Sequence, residues 1–254
     1  MHLPQTPSFR LDGRRALVTG GTRGIGLGAS VALAAAGAAV TVLARTAADV
    51  DGVVSALTAA GHVVDGIAID ITDFAAVRDF VGRSEPFQVL VNCAGTARHS
   101  SFAGITEADY QAVMQLNLAA TLFVSQAVVA RLQAAGQGGS VINVSSQMGH
   151  VGGPSRAVYA ASKHAVEGLT KAMAIELGAS NIRVNTVCPT FIETELTAKN
   201  LSDPDFRSWV LSKIKLGRMG RVEDIMGPIV FLASDASALI TGTALLVDGG
   251  WTAE

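Results

Sequence analysis

Short apolar runs alternate with longer amphipathic stretches from Arg15 to Val247, and this rhythm limits the fold more than any other feature of the chain. Residues 15–19, 40–43, 63–69, 89–91, 141–144, 182–187 and 244–247 read as strands. Residues 24–36, 47–60, 73–82, 106–135, 158–178 and 222–233 read as helices, with Thr72 placed to cap the third and Thr106-Glu107 to open the fourth. Strands that are apolar throughout are buried on both faces, and helices between them supply the cover. The pattern predicts an α/β fold, a doubly wound parallel sheet flanked by helices on both faces. No linker, low-complexity run or close repeat divides the sequence, so residues 1–254 are expected to form a single domain, with 1–10 as a flexible arm.

The segment 189–216 breaks the rhythm. It is longer than a usual connection and carries Phe191, Leu196, Phe206, Trp209 and Leu211. It follows the carboxyl end of a strand, where ligands bind in this architecture, and is expected to be a substrate lid.

Thr19-Gly20-Gly21-Thr22-Arg23-Gly24-Ile25-Gly26 follows the first strand and opens the first helix. Glycine lets the backbone turn tightly and approach a pyrophosphate, while the helix N-terminus offers free N–H groups and partial positive charge. Such a loop binds a dinucleotide. The second strand ends at Ala44-Arg45, with no acid to take a ribose 2′-hydroxyl. Arg45 and Arg23 could instead grip a 2′-phosphate. NADP(H) is therefore favoured, and NAD(H) stays possible.

Tyr159 and Lys163 stand four residues apart, and Ser146 lies thirteen residues before the tyrosine. Positions i and i+4 share one helix face, so phenol and ammonium can point into one cleft. An ammonium favours the phenolate, which suits the pair to acid/base work near neutral pH.

With 19 basic and 21 acidic residues the net charge is -2, and no basic stripe suggests a nucleic-acid partner. No run approaches about eighteen uninterrupted apolar residues, so no membrane span is expected. The first ten residues lack the regions of a signal peptide. Cys93 and Cys188 read as reduced, buried thiols, with no histidines at ligand spacing; no metal site is expected, and a cytoplasmic setting fits. An apolar share of 49% against 16% charged suggests apolar surface buried between subunits.

Together, Thr19-Gly-x-x-x-Gly-x-Gly26, Asn92-x-Ala94-Gly95, Asn117, Ser146 and Tyr159-x-x-x-Lys163 resemble the short-chain dehydrogenase/reductase family in order and spacing, over about residues 11–253. The resemblance implies a single-domain Rossmann fold, hydride transfer, and a homotetramer built from helices such as 106–135 and 158–178. It implies that Tyr159 is the acid/base and that Lys163 lowers its pKa and holds the nicotinamide ribose. Ser146 would bond the substrate oxygen, and Asn117 would hold a water linking Lys163 to solvent. Asp70 would contact adenine with Ile71 beside it, and Asn92, Ala94 and Gly95 would shape the adenosine side. Pro189, Ile192 and Thr194 would lie near the nicotinamide amide. Cys93 replaces a common asparagine, and Thr190 a common glycine.

The expected activity is an NADP(H)-dependent alcohol dehydrogenase or ketone reductase. Gly217-Arg218-Met219-Gly220-Arg221 and the ending Val247 to Ala253 resemble the branch of gluconate 5-dehydrogenases, polyol and sugar-acid dehydrogenases and 3-oxoacyl carrier-protein reductases. A polyol, sugar acid or other small ketone is the expected substrate, with a 3-oxoacyl thioester as the alternative. Candidate pocket residues are Gln147, Met148, His150, Gly152, Phe191 and Trp209; an anionic substrate needs Arg98, His99 or Arg156 to turn inward. Trp251 reads as a packing anchor. A non-catalytic cofactor-binding sensor or scaffold would have no need of Asn117, Ser146, Tyr159 and Lys163. An epimerase or dehydratase usually carries a further substrate domain.

Overall fold

Seven strands form one parallel sheet in the order β3-β2-β1-β4-β5-β6-β7. They are β1 (Arg15–Thr19), β2 (Ala39–Ala44), β3 (Val64–Ala68), β4 (Val89–Asn92), β5 (Gly139–Val144), β6 (Ile182–Pro189) and β7 (Ala244–Val247). The computed structural model describes residues 1 and 3–254, and among these the side chains of all but Leu196, Lys199 and Asn200. The lid reading of Leu196 and the arm reading of His2 lie outside the described residues.

The strand order reverses between β1 and β4, so the carboxyl ends of these two strands flank a crevice. On one face α1 (Gly24–Ala35) and α9 (Val222–Ala233) cover β1, β2 and β4. They pack closely, since a Cβ on Gly28 would lie 2.3 Å from Val222 Cγ1. On the other face lie α3 (Phe74–Arg83), α5 (Ala120–Ala134) and α6 (Ala157–Leu177). α2 (Ala47–Ala59) lies along β2 and β3 at one edge.

Three details depart from the sequence reading. Thr72 does not cap α3; Asp73 does, its carboxylate accepting from Ala75 N (3.2 Å) and Ala76 N (3.0 Å). The single helix expected over 106–135 is α4 (Glu107–Met114), a π-turn (Gln115–Ala119) and α5. By length and mean hydropathy, 1.6, this run could cross a membrane, but Ala120, Val124, Val128 and Leu132 pack into the core. The irregular segment 189–216 holds two short helices, α7 (Glu195–Leu201) and α8 (Pro204–Lys213). Asp203 caps α8 and Pro204 opens it, a start signal present in the sequence. The arm ends tethered: the Phe9 ring lies 6.2 Å from that of Phe231, and Arg10 pairs with Asp12.

Candidate active site

At the crevice, the Thr19 hydroxyl accepts from Cys93 N (3.1 Å) and Ala94 N (3.3 Å), tying the turn after β1 to the end of β4. Gly20 (φ +66) and Gly24 (φ +51) take the left-handed conformation. A Cβ on Gly20 would lie 2.9 Å from Ala94 Cα, and one on Gly26 would lie 2.0 Å from the Gly20 carbonyl oxygen. Arg23 begins α1 in extended backbone with no capping side chain, which leaves the first-turn N–H groups to an anion. The uncapped turn and side-chain-free surface fit a pyrophosphate. Thr22 is half-buried beside it, and Ile25 packs into the core.

Arg23 and Arg45 are exposed and have no ion-pair partner among the described residues. The Thr72 N–H (2.9 Å) and hydroxyl (2.8 Å) hold the Asp70 carboxyl below its usual range, and the Arg45 charge adds to this. Ile71 is buried in the core below. Asn92 is turned into the sheet, donating to Ser125 Oγ (2.8 Å) and Asn143 Oδ1 (2.9 Å). Its side chain therefore braces β4 against β5 and α5.

Ser146, Tyr159 and Lys163 gather between β5 and α6. Ser146 follows β5, its hydroxyl accepting from Met148 N (3.1 Å) and donating to Gln147 Oε1 (2.7 Å). Tyr159 and Lys163 share a face of α6, with Lys163 Nζ 5.7 Å from the Tyr159 ring centroid. Lys163 is only 6% exposed and donates to the Val144 carbonyl at 2.8 Å. An ammonium has three donors, so two remain for a ligand. A Cβ on Gly95 would come within 3.3 Å of Asn117 Oδ1 and 3.9 Å of Lys163 Nζ, so glycine there keeps the approach to the ammonium open.

Asn117 sits in the π-turn, a distortion frequent at functional sites. Its Oδ1 accepts from Thr96 N (2.8 Å), and its Nδ2 donates to Thr96 O (2.9 Å) and Ser162 Oγ (3.1 Å). The Cys93 thiol, beside Lys163, is pushed up to about 12 by burial despite that charge.

Pro189 ends β6, and Thr190 follows without entering the left-handed region that a glycine there could adopt. The Thr190 hydroxyl is buried and has no hydrogen-bond partner among the described residues. The Ile192 side chain packs against Gly220 and into the core, and its carbonyl accepts from Thr197 Oγ1 (2.6 Å). Thr194 starts α7, its N–H donating to Thr197 Oγ1 (3.1 Å), and its methyl stands 3.3 Å from where a Gly24 Cβ would be. The segment 189–216 therefore touches the glycine loop.

Beyond these residues the segment 189–216 and the chain end build an aromatic wall. Phe191 stacks on Trp251 at 5.7 Å and meets Phe206 edge-on at 5.6 Å; Trp209 meets Trp251 edge-on at 5.5 Å. Trp251 is thus a packing anchor within its own chain. Arg156 is turned inward, 5.3 Å from the Phe191 ring and 5.5 Å from that of Phe206. It touches both His99 ring nitrogens through Nη1, while its Nε is buried with no hydrogen-bond partner among the described residues. Burial, reinforced by the Arg156 charge, pulls His99 down to about 4. Arg98 is directed elsewhere, to Asp109 at 2.8 Å.

Two groupings escaped the sequence reading. The π-turn has no local signature beyond an apolar helix. His150, Glu167 and Cys188 converge from three separate elements, so no ligand spacing betrays them.

A family model described as enoyl-(acyl carrier protein) reductase matches residues 20–252. D-erythrulose reductase of Gallus gallus is 41% identical over 96% of this chain and 98% of its own length. Gluconate 5-dehydrogenase of Gluconobacter oxydans is 37% identical over 96% of each chain. The crystal structure of a gluconate 5-dehydrogenase from Burkholderia cenocepacia, in complex with NADP and tartrate, superposes with a TM-score of 0.93 at 37% identity, covering 97% of this chain and 98% of that one. The fold and these matches define an oxidoreductase. The chain belongs to the short-chain dehydrogenase/reductase family.

Proposed function

We propose that this protein interconverts a secondary alcohol and a ketone with NADP(H), acting on small sugar-type substrates and preferring keto-sugar acids. The observation that carries the reading is the buried Lys163 ammonium beside Tyr159, with two donors free and Gly95 leaving the approach open. The uncapped start of α1 and the glycines around it suit the pyrophosphate, and the unpaired Arg23 and Arg45 suit a 2′-phosphate. The NADP bound to the Burkholderia relative supports the same choice. Asp70 and Ile71 would border the adenine, and Pro189, Thr190, Ile192 and Thr194 the nicotinamide end.

Bound nicotinamide would supply or accept the hydride. The chain's own residues handle the proton. In reduction Tyr159 gives its phenolic proton to the carbonyl oxygen, and the Ser146 hydroxyl, turning from Gln147 Oε1, donates to that oxygen as charge develops. Lys163 would hold the ribose hydroxyls of the bound cofactor, and its ammonium stabilises the phenolate left behind. Asn117 fixes the 95–96 strip facing the ammonium and would hold the water that reprotonates the site. Oxidation uses the same residues in reverse.

Arg156 supports the choice of sugar acids. A guanidinium that is buried and, among the described residues, lacks a carboxylate and keeps an unpartnered Nε attracts a substrate anion. The aromatic wall and segment 189–216 would close over the substrate. The apolar face that runs from α4 through the π-turn into α5, with Tyr110 and Leu122 exposed and Met114 and Leu118 partly so, suits another copy in a homotetramer.

The test is NADPH and NADH oxidation over neutral keto-sugars, keto-sugar acids and a 3-oxoacyl thioester. NADPH turnover with keto acids is expected, with Arg156→Gln raising KM for them about tenfold or more and leaving neutral substrates little changed. Preference for the thioester, or an equal loss on neutral and anionic substrates, would refute the sugar-acid reading. Cofactor binding without turnover on any carbonyl or alcohol would favour the non-catalytic alternative.

A further inference from the structure

Behind the active site three chemically distinct side chains meet. His150 comes from the turn after Ser146, Glu167 from α6 and Cys188 from β6. Cys188 Sγ lies 3.3 Å from Glu167 Oε1 and 3.5 Å from His150 Nε2, and His150 Nε2 lies 3.6 Å from Glu167 Oε1. A tetrahedral zinc ion with ligand bonds of about 2.0–2.3 Å holds its ligand atoms roughly 3.3–3.6 Å apart. The triangle already has the edge lengths of one face of that tetrahedron.

Hydrogen bonding alone leaves this cluster incomplete. Glu167 is 6% exposed, and no lysine or arginine pairs with it among the described residues. Its charge faces only the Thr186 hydroxyl (3.0 Å to Oε2), the Cys188 thiol and His150. A buried carboxylate with so little compensation is costly unless a cation joins it. Ser145 is also buried, and its hydroxyl faces the Cys188 thiol, which puts an oxygen donor at the edge of the triangle. Gly149 keeps the space clear: a Cβ there would lie 2.9 Å from Ser145 Oγ and 3.1 Å from Glu167 Cγ.

We propose that His150, Glu167 and Cys188 form a zinc-binding site, with the Ser145 hydroxyl or a water as the fourth ligand. Thiolate, imidazole and carboxylate together select zinc over magnesium or calcium. On binding, the Cys188 thiol releases its proton to solvent, and a metal–sulfur bond replaces its hydrogen bond to Glu167. Glu167 Oε2 keeps the Thr186 hydroxyl, which orients the carboxylate. The site neighbours the catalytic apparatus: Ser145 precedes Ser146, Glu167 stands one helical turn beyond Lys163, and Cys188 precedes Pro189. Bound zinc would pin together the three elements that present the substrate-facing residues.

The full chain, stripped with a chelator, would be titrated with Zn²⁺ by calorimetry and with Co²⁺ by optical absorption. One equivalent should bind, with release of about one proton and a thiolate-to-cobalt charge-transfer band. His150→Gln, at a partly exposed position that spares the core, should weaken Zn²⁺ about tenfold or more while keeping the band. Cys188→Ala should abolish the band. Failure of the folded wild-type chain to take up Zn²⁺, a Co²⁺ complex without the band, or affinity unchanged in His150→Gln would each overturn the proposal.

Discussion

The Asn117 side chain brackets the backbone of Thr96, accepting from its N–H at 2.8 Å and donating to its carbonyl at 2.9 Å. A primary amide satisfies a backbone residue in this way much as a neighbouring strand would. The π-turn at 115–119 aims the amide, since regular helical spacing would rotate it away. The third bond, to Ser162 Oγ, links the bracket to α6, where Ser162 also donates to the Tyr159 carbonyl at 2.7 Å. The strip after β4, the π-turn and the helix bearing Tyr159 and Lys163 are thus one connected polar unit.

Asn117→Ala should therefore damage both stability and catalysis. It strands the Thr96 N–H and carbonyl in a half-buried setting, at a cost of about 1–3 kcal/mol. Denaturant midpoints would read that loss. Turnover should fall by more than stability predicts, because Gly95 and Thr96 no longer keep their place facing Lys163. A variant with wild-type kcat would show that the bracket is structural only.

Tyr159→Phe removes the proton and leaves the ring's packing. Turnover should drop by at least about a hundredfold, within the usual contribution of a general acid/base. NADPH affinity should change little, since the Lys163 donors remain; fluorescence titration of NADPH would check this. Substantial residual turnover would reject Tyr159 as the proton donor.

Arg45→Ala should weaken NADPH much more than NADH. The guanidinium is exposed and unpaired, and only a 2′-phosphate offers it a dianionic partner. Kd values for the two cofactors would be compared at fixed salt, because an exposed charge contact is screened. Equal losses for both would remove Arg45 from 2′-phosphate recognition.

What the sequence revealed and what it hid divide along a physical line. Local features could be read: Gly20, Gly24 and Gly26 in one turn, Tyr159 and Lys163 on one helix face, and strands 15–19, 222–233 being a helix, and 244–247 with their observed bounds. Chain-distant features could not. Arg156 meets His99 across fifty-seven residues, and Cys188 meets His150 across thirty-eight. Asn92 carries a family motif, yet its side chain serves the sheet, a role visible only once Ser125 and Asn143 are adjacent. Between these lie near misses of one residue, such as Asp73 rather than Thr72 as the α3 cap, where two good capping residues compete and Asp70 engages the threonine.

The His99–Arg156 contact makes a prediction about acid. Burial and the adjacent guanidinium pull His99 from an ordinary 6.5 down to about 4, so the folded chain keeps it neutral while the unfolded chain protonates it. Between those values the unfolded state binds more protons, and stability falls as pH is lowered through the window. The carboxylates held low by hydrogen bonds act further down: Asp224, kept at about 2 chiefly by Arg218, contributes stability that is lost only as pH falls below the ordinary carboxylate range. His99 therefore owns the upper window. The full shift would amount to about 3 kcal/mol, but His99 is an exposed residue, and solvent screening reduces it to on the order of 1 kcal/mol at most. Urea midpoints of the wild-type chain should fall between about pH 7 and pH 5, and those of His99→Gln should fall distinctly less. Parallel decline in the two chains would show that the ring is not held neutral against Arg156.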